Sequence, residues 1–179
     1  MHAAQYIPDA EFEPAPPGAR VRLTTLLSAV VLFMVITVVV VSMARDSNPP
    51  PRPAFGAIGA IPVAVVLIFF AGKVRRYRLA GGELRVEFLF RTVRFPLAGL
   101  VGATVDREAM RGAWKLYGND GLGAVSGRYR SKRLGPFRAY LTDVEHAVVL
   151  RWSAGCVVIS PQQHSYFVEA VRKRAGLSS

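Results

Sequence analysis

The sequence predicts a two-helix transmembrane hairpin followed by a mainly β domain, a bent antiparallel sheet or barrel of about seven strands closed by a C-terminal α-helix. Three observations lead there. Two apolar runs without an ionisable residue, Leu23 to Ala44 and Pro53 to Gly72, are each long enough to cross a bilayer, which takes ~20 helical residues for a hydrocarbon core of ~30 Å. After Lys73 the hydrophobic pattern changes to a two-residue alternation, the period of half-buried strands. Near the end, a Ser-Pro signal opens a stretch with helical spacing.

The division 1–22, 23–72 and 73–176 follows. Residues 1–22 carry Asp9, Glu11, Glu13 and four prolines and are expected to be a disordered leader. The first run, 23–44, is rich in valine, which is accepted in a helix where lipid offers the backbone no other partner. The loop from Arg45 to Pro53 contains four prolines and is too short for a domain. The second run, 53–72, carries Gly56, Gly59 and Ala60 as a small-residue face and Pro62 as a kink site. With no charge in either run, the pair reads as an anchor rather than an ion pathway.

Charge sets the orientation. The chain holds 23 Lys+Arg and 12 Asp+Glu, for a net charge of +11. The first 72 residues balance, so the whole excess lies after the spans. Lys73-Val74-Arg75-Arg76-Tyr77-Arg78 places four cations directly behind the second run, and the positive-inside rule then puts both termini in the cytoplasm.

In 73–176, Leu84, Val86, Phe88 and Phe90 alternate with Glu83, Arg85 and Glu87. With the turn Ala80-Gly81-Gly82 they predict a hairpin with Tyr77–Leu79, and Val93, Phe95 and Leu97 continue as a third strand. Phe137, Ala139 and Leu141 repeat the alternation, and Ala147–Trp152 with Cys156–Ile159 flank a second hairpin turn at Ser153-Ala154-Gly155. Ser160-Pro161-Gln162-Gln163 predicts a helix start with Ser160 as N-cap and Pro161 at the first helical position. Phe167, Ala170 and Val171 share its inner face, and Arg172, Lys173 and Arg174 complement its C-terminal dipole.

Few residues select chemistry. The single cysteine, Cys156, reads as a small core residue and excludes both an intrachain disulfide and a Cys-cluster zinc site. His2, His146 and His164 lack metal-ligand spacing, Asp143 and Glu145 read as turn formers, and Asp106 and Glu108 as solvated acids. No enzyme, cofactor or metal is predicted. Gly118, Gly121, Gly123 and Gly127 predict a bent or bulged turn rather than a phosphate-cradling loop, since no Gly-Lys-Ser/Thr follows. Arg128, Arg130 and Lys132 at two-residue spacing, with Arg133 adjacent, would form a cationic stripe on a strand and are the candidate contact for anionic headgroups. The competing reading is an ordinary solvated face. Tyr129 and Tyr140 interleave with arginines, as on sheets that bind single strands, but no nucleic-acid motif accompanies them and nucleic acid is not expected as a partner.

The elements Trp114-Lys115-Leu116-Tyr117-Gly118-Asn119-Asp120-Gly121-Leu122-Gly123, Gly127-Arg128-Tyr129, Leu134-Gly135-Pro136-Phe137-Arg138-Ala139-Tyr140-Leu141-Thr142-Asp143 and Ile159-Ser160-Pro161 resemble the bacterial pleckstrin-homology-like (PH-like) domains that follow two transmembrane helices. The resemblance covers most of 73–176. It implies a bent sheet of about seven strands capped by a helix, and a non-catalytic binding or scaffolding protein of the bacterial inner membrane, offered to a protein partner or anionic lipid. The alternative is a small membrane enzyme or transporter accessory subunit acting with a separately encoded partner. Gln162-Gln163-His164 stands where members of the family often carry acidic residues, which removes any role for carboxylates at this helix start.

Overall fold

The computed structural model describes residues 9–45, 60, 64, 67, 71–120 and 124–177. The second apolar run therefore lies largely outside the described residues; Ala60, Ala64, Leu67, Ala71 and Gly72 within it are helical. The first run lies inside helix α1 (Ala19–Arg45). At 1.5 Å per residue, α1 is roughly 40 Å long. It is the one helix, among the described residues, long and apolar enough to cross a membrane, and none of its most apolar 18-residue window is buried in the protein. A core helix of a soluble domain would be covered; this one presents Leu26, Phe33 and Val38 to its surroundings.

Among the described residues ten strands form two sheets, more than the expected seven. The smaller sheet is a meander of β1 (Ala10–Phe12), β2 (Val74–Ala80), β3 (Glu83–Phe88) and β4 (Thr92–Pro96). The β2–β3 and β3–β4 alternation agrees with the sequence, with Gly81 and Gly82 at positive φ in the tight turn. The larger sheet runs β5 (Leu100–Val105), β9 (Val148–Trp152), β10 (Gly155–Ile159), β8 (Gly135–Leu141), β7 (Val125–Ser131) and β6 (Trp114–Asp120) in spatial order. It is not wholly antiparallel. The β9–β10 hairpin folds back so that β10 enters between β9 and β8, and β10 pairs parallel with β8, Val158 opposite Ala139.

Strands β9 and β10 are covered on both faces, as their nearly continuous apolar runs require. Val148, Leu150, Val157 and Ile159 face one cluster, shared with Leu84, Val86 and Phe88 of the smaller sheet. Val149 and Val158 face a second, with Tyr129, Phe137, Leu141 and Val21 from the first turn of α1. Helix α2 (His164–Ala175) closes the first cluster with Phe167, Val168 and Val171. Gly176 ends α2 in the left-handed conformation, and the amides of Gly176 and Leu177 return to the carbonyls of Lys173 and Arg172.

Two local expectations are corrected. Residues 9–22 are ordered: β1 pairs antiparallel with β2, Ala10 opposite Leu79, and buried Phe12 packs edge-on against Phe167 at 4.9 Å. The Ala15 amide donates to the Ser160 carbonyl, the Gly18 amide to the Thr142 carbonyl and the Gln162 amide to the Glu13 carbonyl. The prolines leave these carbonyls and amides free to pair across the surface, so the leader is a strap. Ser160 is likewise not the cap of α2, which begins at His164 after Gln163 with no side-chain cap. The Ser160 hydroxyl instead accepts the Thr142 amide at 2.8 Å and the Asp143 amide at 3.3 Å, tying the end of β8 to the end of β10.

Candidate functional site

Alternation on β7 and β8 divides their side chains between two faces. Tyr129 and Phe137 point into the second cluster. Arg128 and Arg130 therefore share the opposite face of β7, and Arg138 shares the matching face of β8 with Tyr140, whose ring packs in the first cluster. The register puts Arg128 directly opposite Arg138 on one side and Tyr117 on the other. A cleft of about 860 Å³ lies between these strands and the β3–β4 end of the smaller sheet.

One wall of the cleft is the β3–β4 turn, with Phe90 and Arg91; the other is Tyr117, Arg128 and Arg138; Tyr140 is also part of the lining. Ala71 and Gly72, at the end of the second apolar run, complete the rim. Phe90 and Tyr117 are 72% and 77% exposed. Gly118 and Gly127 oppose one another in the wall at φ +134° and +152°. A methyl group on Gly127 would stand 2.2 Å from the Tyr117 carbonyl oxygen, and one on Gly118 the same distance from that of Ser126. These two glycines let the β6 and β7 backbones approach closely. Of the glycines in the expected turn, 121 and 123 lie outside the described residues.

The predicted stripe is only partly assembled. Arg128 and Arg130 are exposed on one face of β7, but the strand ends at Ser131, whose hydroxyl accepts the Leu134 amide at 3.1 Å. Lys132 and Arg133 fall in the ensuing turn. Arg133 pairs with Asp106, and that hydrogen bond raises the already high pKa of its guanidinium. Sequence reasoning missed Arg91 and Arg138. Arg138 was signalled by its alternation with Phe137 and Ala139; Arg91 reaches the cleft only through the packing of the two sheets.

Several arginines outside the cleft are paired with carboxylates. Arg76 faces Glu11 and Glu87, Arg78 faces Asp9 and Glu11, Arg85 faces Glu83, and Arg111 faces Glu108. No carboxylate lines the cleft among the described residues. Arg91 lies over the Phe88 ring at 4.5 Å, an arrangement that holds a guanidinium without neutralising it.

Elsewhere, Asp143 serves its turn by accepting the Glu145 amide at 3.1 Å, and its other oxygen accepts from His146 Nδ1 at 2.7 Å. The His146 and His164 rings meet edge to face at 5.4 Å. Among the described residues no group of three or more His, Cys, Asp or Glu is placed to hold a metal. Cys156 is partly buried and lines a second, more apolar groove of about 630 Å³ with Phe95, Leu116, Phe137 and Trp152. Arg128 and Arg138 also line that groove.

Two packed sheets, a closing C-terminal helix and an open inter-sheet cleft define a PH-like domain, a class of binding and scaffolding modules. The chain belongs to the bacterial PH domain family, whose model matches residues 75–175. Comparison with curated proteins and with solved structures finds no match.

Proposed function

We propose that this protein is a membrane-anchored, non-catalytic recognition module, in which a two-span hairpin holds a PH-like domain against the cytoplasmic face of the bacterial inner membrane. The observation that carries the reading is the pairing of β1 with β2. The residues before α1 and those after the second apolar run then lie on one side of the membrane. A chain that leaves that side at Ala19 and is back by Val74 crosses an even number of times. The second crossing falls to 53–72, whose length suits it. Both connections are immediate: Gly18 leads directly into α1, and a single residue, Lys73, separates the apolar run from β2. The four cations of 73–78 favour the cytoplasmic side.

On this reading Arg128 and Arg130 face the headgroup region, with Lys132 and Arg133 at its margin, and contact anionic lipid or an acidic partner protein. Each cation near an anionic surface contributes about 1 kcal/mol, enough to orient a tethered domain. The test is a pair of reporter fusions. An alkaline phosphatase inserted at Asn48 should be active and one after Ser179 inactive; activity at Ser179 would overturn the orientation, and inactivity at both the two-span hairpin.

A further inference from the structure

We propose that the free edge of β6 is a docking site for a second integral membrane protein. That partner adds a seventh strand to the larger sheet, formed by an acidic and apolar cytoplasmic segment that directly follows one of its spans. The proposal rests on the membrane-anchored reading above and gives its protein partner a place and a chemistry.

β6 is last in the spatial order of the larger sheet, seven residues long and free of proline. The other three edges are blunted. β1 has only three residues; β4 ends at Pro96, whose carbonyl accepts the Trp152 indole at 2.9 Å; in β5 the Ala103 carbonyl accepts Arg172 Nε at 3.1 Å. An uncovered edge of the length of β6 is a template for another strand. Its side chains strengthen the case. Trp114 and Tyr117 stand opposite Arg130 and Arg128 and share their face, and the register shift between Lys115 and Tyr117 leaves Leu116 in a bulge. Leu116 lines the second groove with Arg128 and Arg138, so Trp114, Leu116 and Tyr117 crowd one face of the edge, 48%, 56% and 77% exposed.

Charge and direction identify the occupant. Lys115, opposite Tyr129, lies on the other face of the edge, while Arg128 and Arg130 stand behind the apolar row. The arginines in ion pairs among the described side chains are Arg76, Arg78, Arg85, Arg111 and Arg133, which leaves Lys115, Arg128 and Arg130 outside them. A strand with apolar residues on one face and a carboxylate opposite Lys115 on the other complements this edge. The Asp120 end of β6 is the anchored end of the domain. Asp120 is opposite Val125 and Val125 opposite Leu141, next to the Thr142 carbonyl that holds Gly18 before α1, and Ala71 and Gly72 lie beside Gly118 and Gly127. β6 thus runs toward the membrane, and its antiparallel neighbour runs away from it, as a chain does on leaving a span. β2 does so directly after 53–72. A second copy of this chain, paired antiparallel through β6, would point its spans away from the bilayer and does not fit.

The test has two arms, both on the full-length protein. In nanodiscs, a labelled nine-residue peptide of alternating valine and glutamate should bind, read by fluorescence anisotropy, and should slow hydrogen exchange across 114–120 while β9 and β10 stay unchanged. Its valine–lysine counterpart and a version N-methylated throughout should not bind. Leu116→Ser should weaken binding about tenfold, the loss of one apolar contact, and Lys115→Glu should reverse the preference between the two peptides. Equal binding of the glutamate and lysine peptides, or binding of the N-methylated one, would overturn strand addition at this edge. Circular dichroism of the variants separates lost binding from lost folding, since both positions are exposed. In cells, p-benzoylphenylalanine in place of Tyr117 should crosslink to another membrane protein within about the first ten residues after a span, the length of a strand matched to β6. Crosslinks to a second copy or to a soluble protein, or none, would overturn the proposed partner. An active reporter at Ser179 would overturn the membrane-anchored reading independently, because peptide binding in nanodiscs does not depend on which side the domain occupies.

Discussion

Tyr77→Phe removes a single oxygen from the middle of the domain and tests whether the two sheets are joined as described. Tyr77 is fully buried. Its hydroxyl donates to the Tyr140 carbonyl at 2.7 Å and accepts the Ser160 amide at 3.2 Å, so one atom links β2 of the smaller sheet to β8 and to the end of β10. The phenylalanine ring fills the same space, and what remains is two buried polar groups stripped of a partner, each costing about 1–3 kcal/mol. The expected loss is about 2–4 kcal/mol. For a domain of this size that lowers the melting temperature by roughly 10 °C or more. Burial also pushes the Tyr77 phenol up to about 12 from 10.0, against the opposing hydrogen bonds from Ser160. Because the folded pKa lies above the unfolded one, the fold favours the protonated phenol. That contribution is complete below pH 10 and disappears as pH rises through 12; it amounts to about 3 kcal/mol. The assay is thermal unfolding of the full chain in detergent, followed by near-ultraviolet circular dichroism, which α1 does not dominate. Wild type should lose stability more steeply than Tyr77→Phe between pH 10 and 12. A variant that melts within 2 °C of wild type (an assay threshold of about 0.5 kcal/mol), or that keeps the wild-type alkaline slope, would refute the reasoning.

Two further substitutions probe the glycine pair and the strap. Gly127→Ala should destabilise the domain by at least about 3 kcal/mol, since backbone strain at φ +152° adds to a contact of 2.2 Å with the Tyr117 carbonyl. Gly155→Ala, at φ +149° with nothing within 4 Å, should carry the strain alone; equal melting temperatures for the two would refute the close approach of β6 and β7. Phe12→Ala deletes a buried ring, a change that typically costs about 3–5 kcal/mol. Here the loss is capped by the docking energy of the strap itself. Hydrogen exchange at residues 10–17 should accelerate while β9 and β10 keep their protection, and unchanged exchange at 10–17 would contradict the described docking.

Much of the β domain is visible in its residues because each segment advertises its own period. Leu84, Val86 and Phe88 could face a core only as a strand, and Gly81-Gly82 supplies the turn that pairs it with β2. Strands β9 and β10 are legible instead as two short apolar runs on either side of the turn Ser153-Ala154-Gly155. The parallel pairing of β10 with β8 is not, because it depends on which edge the β9–β10 hairpin takes, and no local pattern records that choice. The strap was hidden by composition. Acidic and proline-rich residues signal disorder on average, yet buried Phe12 and Ala15, the pairing of β1 with β2 and the Ala15 and Gly18 amides that reach Ser160 and Thr142 together dock it. Of the site, Arg128 and Arg130 were visible as a two-residue repeat. Arg133 looked like their companion only because the end of β7 at Ser131 and the partnership with Asp106 are tertiary facts. Arg91 belongs to a different sheet and could be joined to Arg138 only by folding the chain.

The strap also sets an order of assembly. Residues 10–12 leave the ribosome early, but their partner strand ends at Ala80, beyond both apolar runs. Until both runs and β2 have been synthesised, β1 has nothing to pair with, so a segment made before them is among the last to dock. On the two-span reading, a chain whose second run failed to insert would strand its leader and its domain on opposite sides of the bilayer, and the β1–β2 pairing would never form. Docking of Phe12 against α2 would then occur only in correctly inserted molecules. An undocked leader, open to proteases, would mark the others for removal.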